Sequence, residues 1–120
     1  MTRGIRHNRA TMERRITQAR IRRLCRRIAA QYAPERIILI GSRAARRARA
    51  DSDVDLLVVM RYRGHSARMA ARILNRVEPD FPVDLIVRTP LELRRRVAQR
   101  DAFLSEALSR GKVLYEAAGA

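Results

Sequence analysis

Three short runs rich in β-branched residues, at 36–40, 51–60 and 81–87, are separated by stretches of helical period. That alternation constrains the fold more than any other feature. Strands interleaved with helices lead to a sheet with helices packed against it. The first helical stretch runs from Thr11 to about Tyr32, where Ile21, Leu24, Cys25, Ile28 and Tyr32 recur at the spacing of one helix face. Arg22, Arg23, Arg26 and Arg27 fall on the opposite face, and Pro34 stops the helix. Residues 36–40 (RIILI) close on Gly41-Ser42, a buried-strand pattern.

The Ala/Arg-rich stretch 43–50 suits a short helix, and 51–60 (DSDVDLLVVM) a second strand. Ala70, Ile73, Leu74 and Val77 place a helix over 66–77, and Pro79 and Pro82 bracket the turn before the third strand. Thr89-Pro90-Leu91-Glu92 combines an N-cap threonine, proline in the first turn and glutamate at the third helical position. Asp101 is the natural cap of a last helix whose apolar residues are Phe103, Leu104, Ala107 and Leu108, and Gly111 ends it before a closing strand from Lys112 to Tyr115. The predicted order is α-β-α-β-α-β-α-α-β: a single α/β (α+β) domain over 11–120 with a small mixed sheet flanked by helices, after a flexible basic tail at 1–10.

Composition narrows the function classes. A chain of 120 residues is large enough for one core. No apolar run approaches the roughly 20 residues needed to cross a bilayer. The basic N-terminus is not followed by the apolar segment of a secretory signal, and Cys25 has no partner for an internal disulfide, so the cytoplasm is the expected compartment. The net charge is +15, with 27 basic residues of which 26 are arginine. Such a surplus favours polyanions: nucleotide phosphates, RNA or an acidic protein surface. Aromatic residues, at 4%, are too few for a base-stacking platform.

The chemistry is carried by aspartates in places where aspartate is rare. Asp53 and Asp55 lie two apart in a strand and therefore share a face, while Val54, Leu56 and Val58 point the other way. Asp84 sits between Val83 and Leu85 in the third strand. Aspartate is depleted in strands, and an unpaired buried carboxylate is costly. If these strands are neighbours, the three carboxylates converge into a site for a hard divalent cation, and Mg²⁺ suits it when phosphates and water complete the octahedron. Ten residues before Asp53, Gly41-Ser42 ends the first strand. A glycine there lets the backbone approach a ligand, and the free N–H groups and the hydroxyl are phosphate donors.

Gly41-Ser42, ten residues, then Asp53-Val54-Asp55 resembles the G-S-x10-D-x-D pattern of the DNA polymerase β-like nucleotidyltransferase superfamily. Asp84, in Val-Asp-Leu, resembles its third carboxylate. Gly-Ser-Arg-Ala at 41–44, Ser-Asp-Val-Asp-Leu-Leu-Val at 52–58 and the ending at 103–116 are similar to the minimal nucleotidyltransferase (MNT) branch. The stretch at 41–46 reads Gly-Ser-Arg-Ala-Ala-Arg, with Arg46 where that branch often has a second glycine. The resemblance implies a polymerase β palm-like fold and transfer of a nucleoside monophosphate, typically AMP from ATP, to a hydroxyl. It further implies two Mg²⁺ ions on Asp53, Asp55 and Asp84, which are also the catalytic residues, and a nucleotide contacted by Gly41, Ser42 and Arg43. The implied acceptor is a tyrosine hydroxyl of a helical HEPN ribonuclease, with this chain its type VII-like antitoxin. A contrasting expectation is an inactive MNT-like module that neutralises a partner, or binds RNA, by charge alone.

Overall fold

The computed structural model describes residues 15–45 and 53–119. The expected tail at 1–10 and the stretch 46–50 with Arg46 lie outside those residues; the helix expected from Thr11 opens later, because residues 15–17 are not helical and Thr17 caps a helix that begins at Gln18. Element order agrees with the alternation of periods: α1 (Gln18–Tyr32), β1 (Arg36–Ile40), α2 (Gly41–Ala44), β2 (Val54–Val59), α3 (Ser66–Val77), β3 (Val83–Arg88), α4 (Pro90–Ala98), α5 (Ala102–Arg110) and β4 (Lys112–Glu116).

Local signals set the helix ends. Thr17 Oγ1 accepts from the Arg20 amide at 3.2 Å and opens α1. Thr89 Oγ1 accepts from Glu92 N at 3.1 Å, with Pro90 in the first turn of α4, and Asp101 Oδ1 accepts from Leu104 N at 3.0 Å to start α5. Each cap satisfies one of the backbone donors a helix start leaves open.

The four strands form one sheet in the order β3-β2-β1-β4. β1 pairs antiparallel with β2 and with β4, and β2 pairs parallel with β3, so the sheet is mixed. The parallel pair requires a crossover, which α3 provides. The apolar runs of β1 and β2 are explained by their central position: both faces are covered, so no polar alternation is tolerated.

On one face, α1 and α3 pack Ile21, Leu24, Cys25, Ile28, Ile73 and Val77 against Ile37, Leu39, Val54, Leu56 and Val58. On the other, α4 and α5 cover Ile38, Ile40, Leu57 and Val59 with Leu93, Leu104 and Ala107. The α1 stripe is therefore core, as its spacing indicated, and burial pushes the Cys25 thiol up to about 11 against the lowering effect of Arg22 and Arg26. Arginines at the border of α1 act as ties. Arg20 pairs with Asp80 at 3.0 Å and lies over the Phe81 ring, while Arg27 Nη2 donates to the Val77 carbonyl. Among the described residues, no helix is long and apolar enough to cross a membrane.

The apolar residues of α5 do not all face inward. Phe103 is 55% exposed, whereas Leu104 and Ala107 are buried. Leu104 and Ala107, three apart, define the inward face of α5, and Phe103 falls beside it. The turn from α5 into β4 is tight. A Cβ on Gly111 would stand 2.2 Å from the Ala107 carbonyl and 2.6 Å from Ile38 Cγ2. Gly111→Ala is expected to destabilise the chain by about 1–3 kcal/mol in urea denaturation. An unchanged midpoint would show that the turn has room to relax.

Candidate active site

Pairing geometry brings two of the three aspartates together. In the antiparallel β1–β2 pair Ile40 stands opposite Asp55, and in the parallel β2–β3 pair Asp55 stands opposite Asp84. Directly paired residues of adjacent strands point to the same face, with strand axes about 4.8 Å apart. That face is the one α4 and α5 cover further along, since Leu57 and Val59 share it with Asp55. Asp53, just before β2, keeps the alternation and is exposed.

The burial problem posed by three strand carboxylates is solved by leaving this end of the sheet open. Asp84 lies on an edge strand and is exposed, and Asp55 is half-buried. Burial, then the neighbouring Asp84, then Asp53 push the Asp55 carboxyl above its usual range. Among the described residues, no arginine forms an ion pair with any of the three, although the chain carries a large cationic surplus. An uncompensated carboxylate pair of this kind attracts a cation.

Gly41 lies against the pair. Its φ is +74°, a conformation that side chains rarely adopt, and a Cβ built there would sit 2.3 Å from Asp55 Oδ2. The residue is glycine for both reasons. The bend it makes carries the backbone across the carboxylate and into the single turn of α2, so Ser42 opens onto the same space.

That space is a cleft of about 360 Å³. Its floor is Ile40, Gly41, Ser42, Asp55, Asp84 and Ile86. Its other wall is α5, through Phe103, Glu106, Ala107 and Arg110, ending at Gly111. Of the residues singled out in the sequence, Gly41, Ser42, Asp55 and Asp84 line the cleft. Asp53 stands at its margin, near enough to Asp55 to act on its charge. Arg43 is directed elsewhere: its Nη1 donates to the Ile16 carbonyl at 3.1 Å, ahead of α1. The α5 wall was not recognised in the sequence. Its signal was present, because Phe103, Glu106, Ala107 and Arg110 recur at the spacing of one helix side.

Among the described residues, no three His, Cys, Asp or Glu side chains are gathered into a ready-made metal cage. The donor set is nevertheless of the class Mg²⁺ takes: hard, anionic oxygens on two paired strands. Mg²⁺ is usually held by one or two carboxylates and completed by phosphate and water rather than by an all-protein cage. Asp55 and Asp84, with Asp53 beside them, fit that requirement.

A family model described as Polymerase beta, Nucleotidyltransferase matches residues 24–119. The chain belongs to that family. Among solved structures, it is similar to a chain of the crystal structure of a toxin–antitoxin with AMP-PNP, at 19% identity and a TM-score of 0.51. The match covers 81% of this chain and 74% of that one, and it supports the same fold. A search of curated proteins gave no match.

The raised Asp55 carboxyl makes a stability prediction. A group whose folded pKa exceeds its unfolded value contributes stability at low pH that is lost as pH rises through the folded value. Ionised Asp55 is therefore a cost to the fold at neutral pH. Without divalent cations, Asp55→Asn is expected to raise the Tm at pH 7. The gain should shrink as the pH is lowered into the ordinary aspartate range. A lower Tm for the variant at pH 7 would contradict this account.

Proposed function

We propose that this nucleotidyltransferase moves a nucleoside monophosphate, AMP from ATP, onto a hydroxyl of a partner protein. The observation that carries the reading is Gly41. A backbone bend stripped of its Cβ over Asp55 Oδ2 leaves room for phosphate oxygens beside a carboxylate pair that lacks an arginine. Gly41 and Ser42 would bind phosphate oxygens through backbone N–H groups and the Ser42 hydroxyl. Asp53, Asp55 and Asp84 would hold two Mg²⁺ ions, which supply charge neutralisation to the triphosphate and acidify the acceptor hydroxyl. The acceptor oxygen attacks the α-phosphorus, pyrophosphate leaves, and the hydroxyl proton passes to Asp84 at the open edge of the site. Little covalent work is asked of the chain, because phosphoryl transfer depends mainly on positioning and charge.

The partner reading is that of an antitoxin. Its support is the likeness to a chain of a toxin–antitoxin with AMP-PNP, together with the MNT-like motifs of the sequence. The partner would be a helical HEPN toxin and the acceptor a tyrosine on it.

Incubating the purified chain with α-labelled ATP, Mg²⁺ and the product of the neighbouring gene tests the reading. Label should appear on the partner. Loss of Asp55 should cut the rate by more than the roughly 100-fold typical of losing a mere supporting residue of a metal site. If the partner stays unlabelled yet is neutralised equally well by the Asp53→Ala, Asp55→Ala variant, neutralisation is by contact and the transfer reading is wrong.

A further inference from the structure

The cleft's second wall lies outside the Gly-Ser and aspartate motif. α5 turns Phe103, Glu106, Ala107 and Arg110 toward the cleft. The end of this helix is fixed by strand pairing. Leu39 pairs with Lys112, so Arg110 and Gly111 lie beside the end of β1, next to the Gly41 bend. The missing Cβ of Gly111 lets this corner close onto Ile38 and the Leu39 carbonyl.

A triphosphate resting on the bend would meet repulsion from several sides. Asp55, Asp84 and Glu106 line the same cleft, and the last carbonyls of α5 add the partial negative charge of a helix C-terminus. Among the described residues, Arg110 is the one cationic side chain lining the cleft. Arg43, although next to the bend in sequence, donates to the Ile16 carbonyl and does not line it.

Arg110 has a weak hold where it stands. Its Nε lies 4.0 Å from Glu106 Oε1, and the two side chains are 75% and 67% exposed. Exposed pairs of this kind contribute little and exchange readily. A phosphate offers the guanidinium a bidentate, charge-assisted partner instead.

We infer that Arg110 grips the terminal phosphates of the bound nucleotide, giving up its loose pairing with Glu106 to do so. This rests on the nucleotide-binding reading above and assigns the phosphate contact to a residue outside the Gly-Ser and aspartate motif. Phe103 and Ile86, the apolar members of the same cleft, would then face the nucleoside end.

Calorimetric titration of the full chain with AMP-PNP and with AMP, both in Mg²⁺, tests the assignment. Arg110→Gln should weaken AMP-PNP binding about tenfold or more, the equivalent of one charge-assisted contact. AMP, which lacks the terminal phosphates, should bind the variant as it binds the wild type. Arg110→Lys should recover part of the loss, and Glu106→Gln should tighten AMP-PNP. Arg110 is exposed, and circular dichroism of each variant checks the fold. Equal AMP-PNP affinity in Arg110→Gln and wild type would overturn the assignment alone, as would equal loss of AMP and AMP-PNP. Failure of the wild type to take up AMP-PNP would overturn the nucleotide-binding reading, and this assignment with it.

Discussion

Two carboxylates facing the same way on adjacent parallel strands repel each other, and the arrangement around Asp55 and Asp84 follows from that repulsion. The register that pairs them also pairs Leu56 with Leu85 and Val58 with Val87, so a slip that separated the aspartates would turn the apolar set of β3 away from α1 and α3. Core burial therefore holds the charges in place. The sheet accommodates them by leaving one end of a face uncovered, with Asp84 at an edge, and by letting the backbone at Gly41 come up against Asp55 without a side chain.

Exposed arginines surround this sheet on both faces. The face packed by α1 and α3 carries the exposed arginines of α1, Arg22, Arg23 and Arg26, and the ties made by Arg20 and Arg27. The opposite face holds the aspartates, and its covering helices carry exposed arginines of their own, Arg94, Arg95, Arg96 and Arg110. None of the described arginines pairs with Asp53, Asp55 or Asp84 at short range, while the long-range field of the cationic surplus favours approach of an anion. The arginines nearest the site in sequence illustrate the point: Arg43 is engaged with the Ile16 carbonyl, away from the aspartates.

Much of this was legible in the sequence because its signals are local. The period change at Pro34, the Thr89-Pro90-Leu91-Glu92 start and the Asp101 cap each act within one helical turn, and each stands where spacing placed it. Asp53 and Asp55 sharing a face follows from strand alternation alone. What stayed hidden depends on packing between distant segments. The opposition of Asp55 and Asp84 needs the β2–β3 register. The wall formed by Phe103, Glu106 and Arg110 needs α5 to cross above β1, and Phe103, one of the apolar residues of that helix, lies at the cleft because Leu104 and Ala107 take the inward face. The direction of Arg43 was equally beyond reach, since its partner is a backbone carbonyl remote in the chain.

The central claim is that Asp55 and Asp84, beneath the Gly41 bend, gather a divalent cation and a triphosphate in one place. A crystal grown with Mn²⁺ and a non-hydrolysable ATP analogue tests it through the anomalous signal of the metal. The expected map has a manganese peak bound to the Asp55 and Asp84 carboxylates, with triphosphate density against Gly41 and Ser42. Manganese away from both carboxylates, or a triphosphate lying along the arginines of α1, would contradict the account.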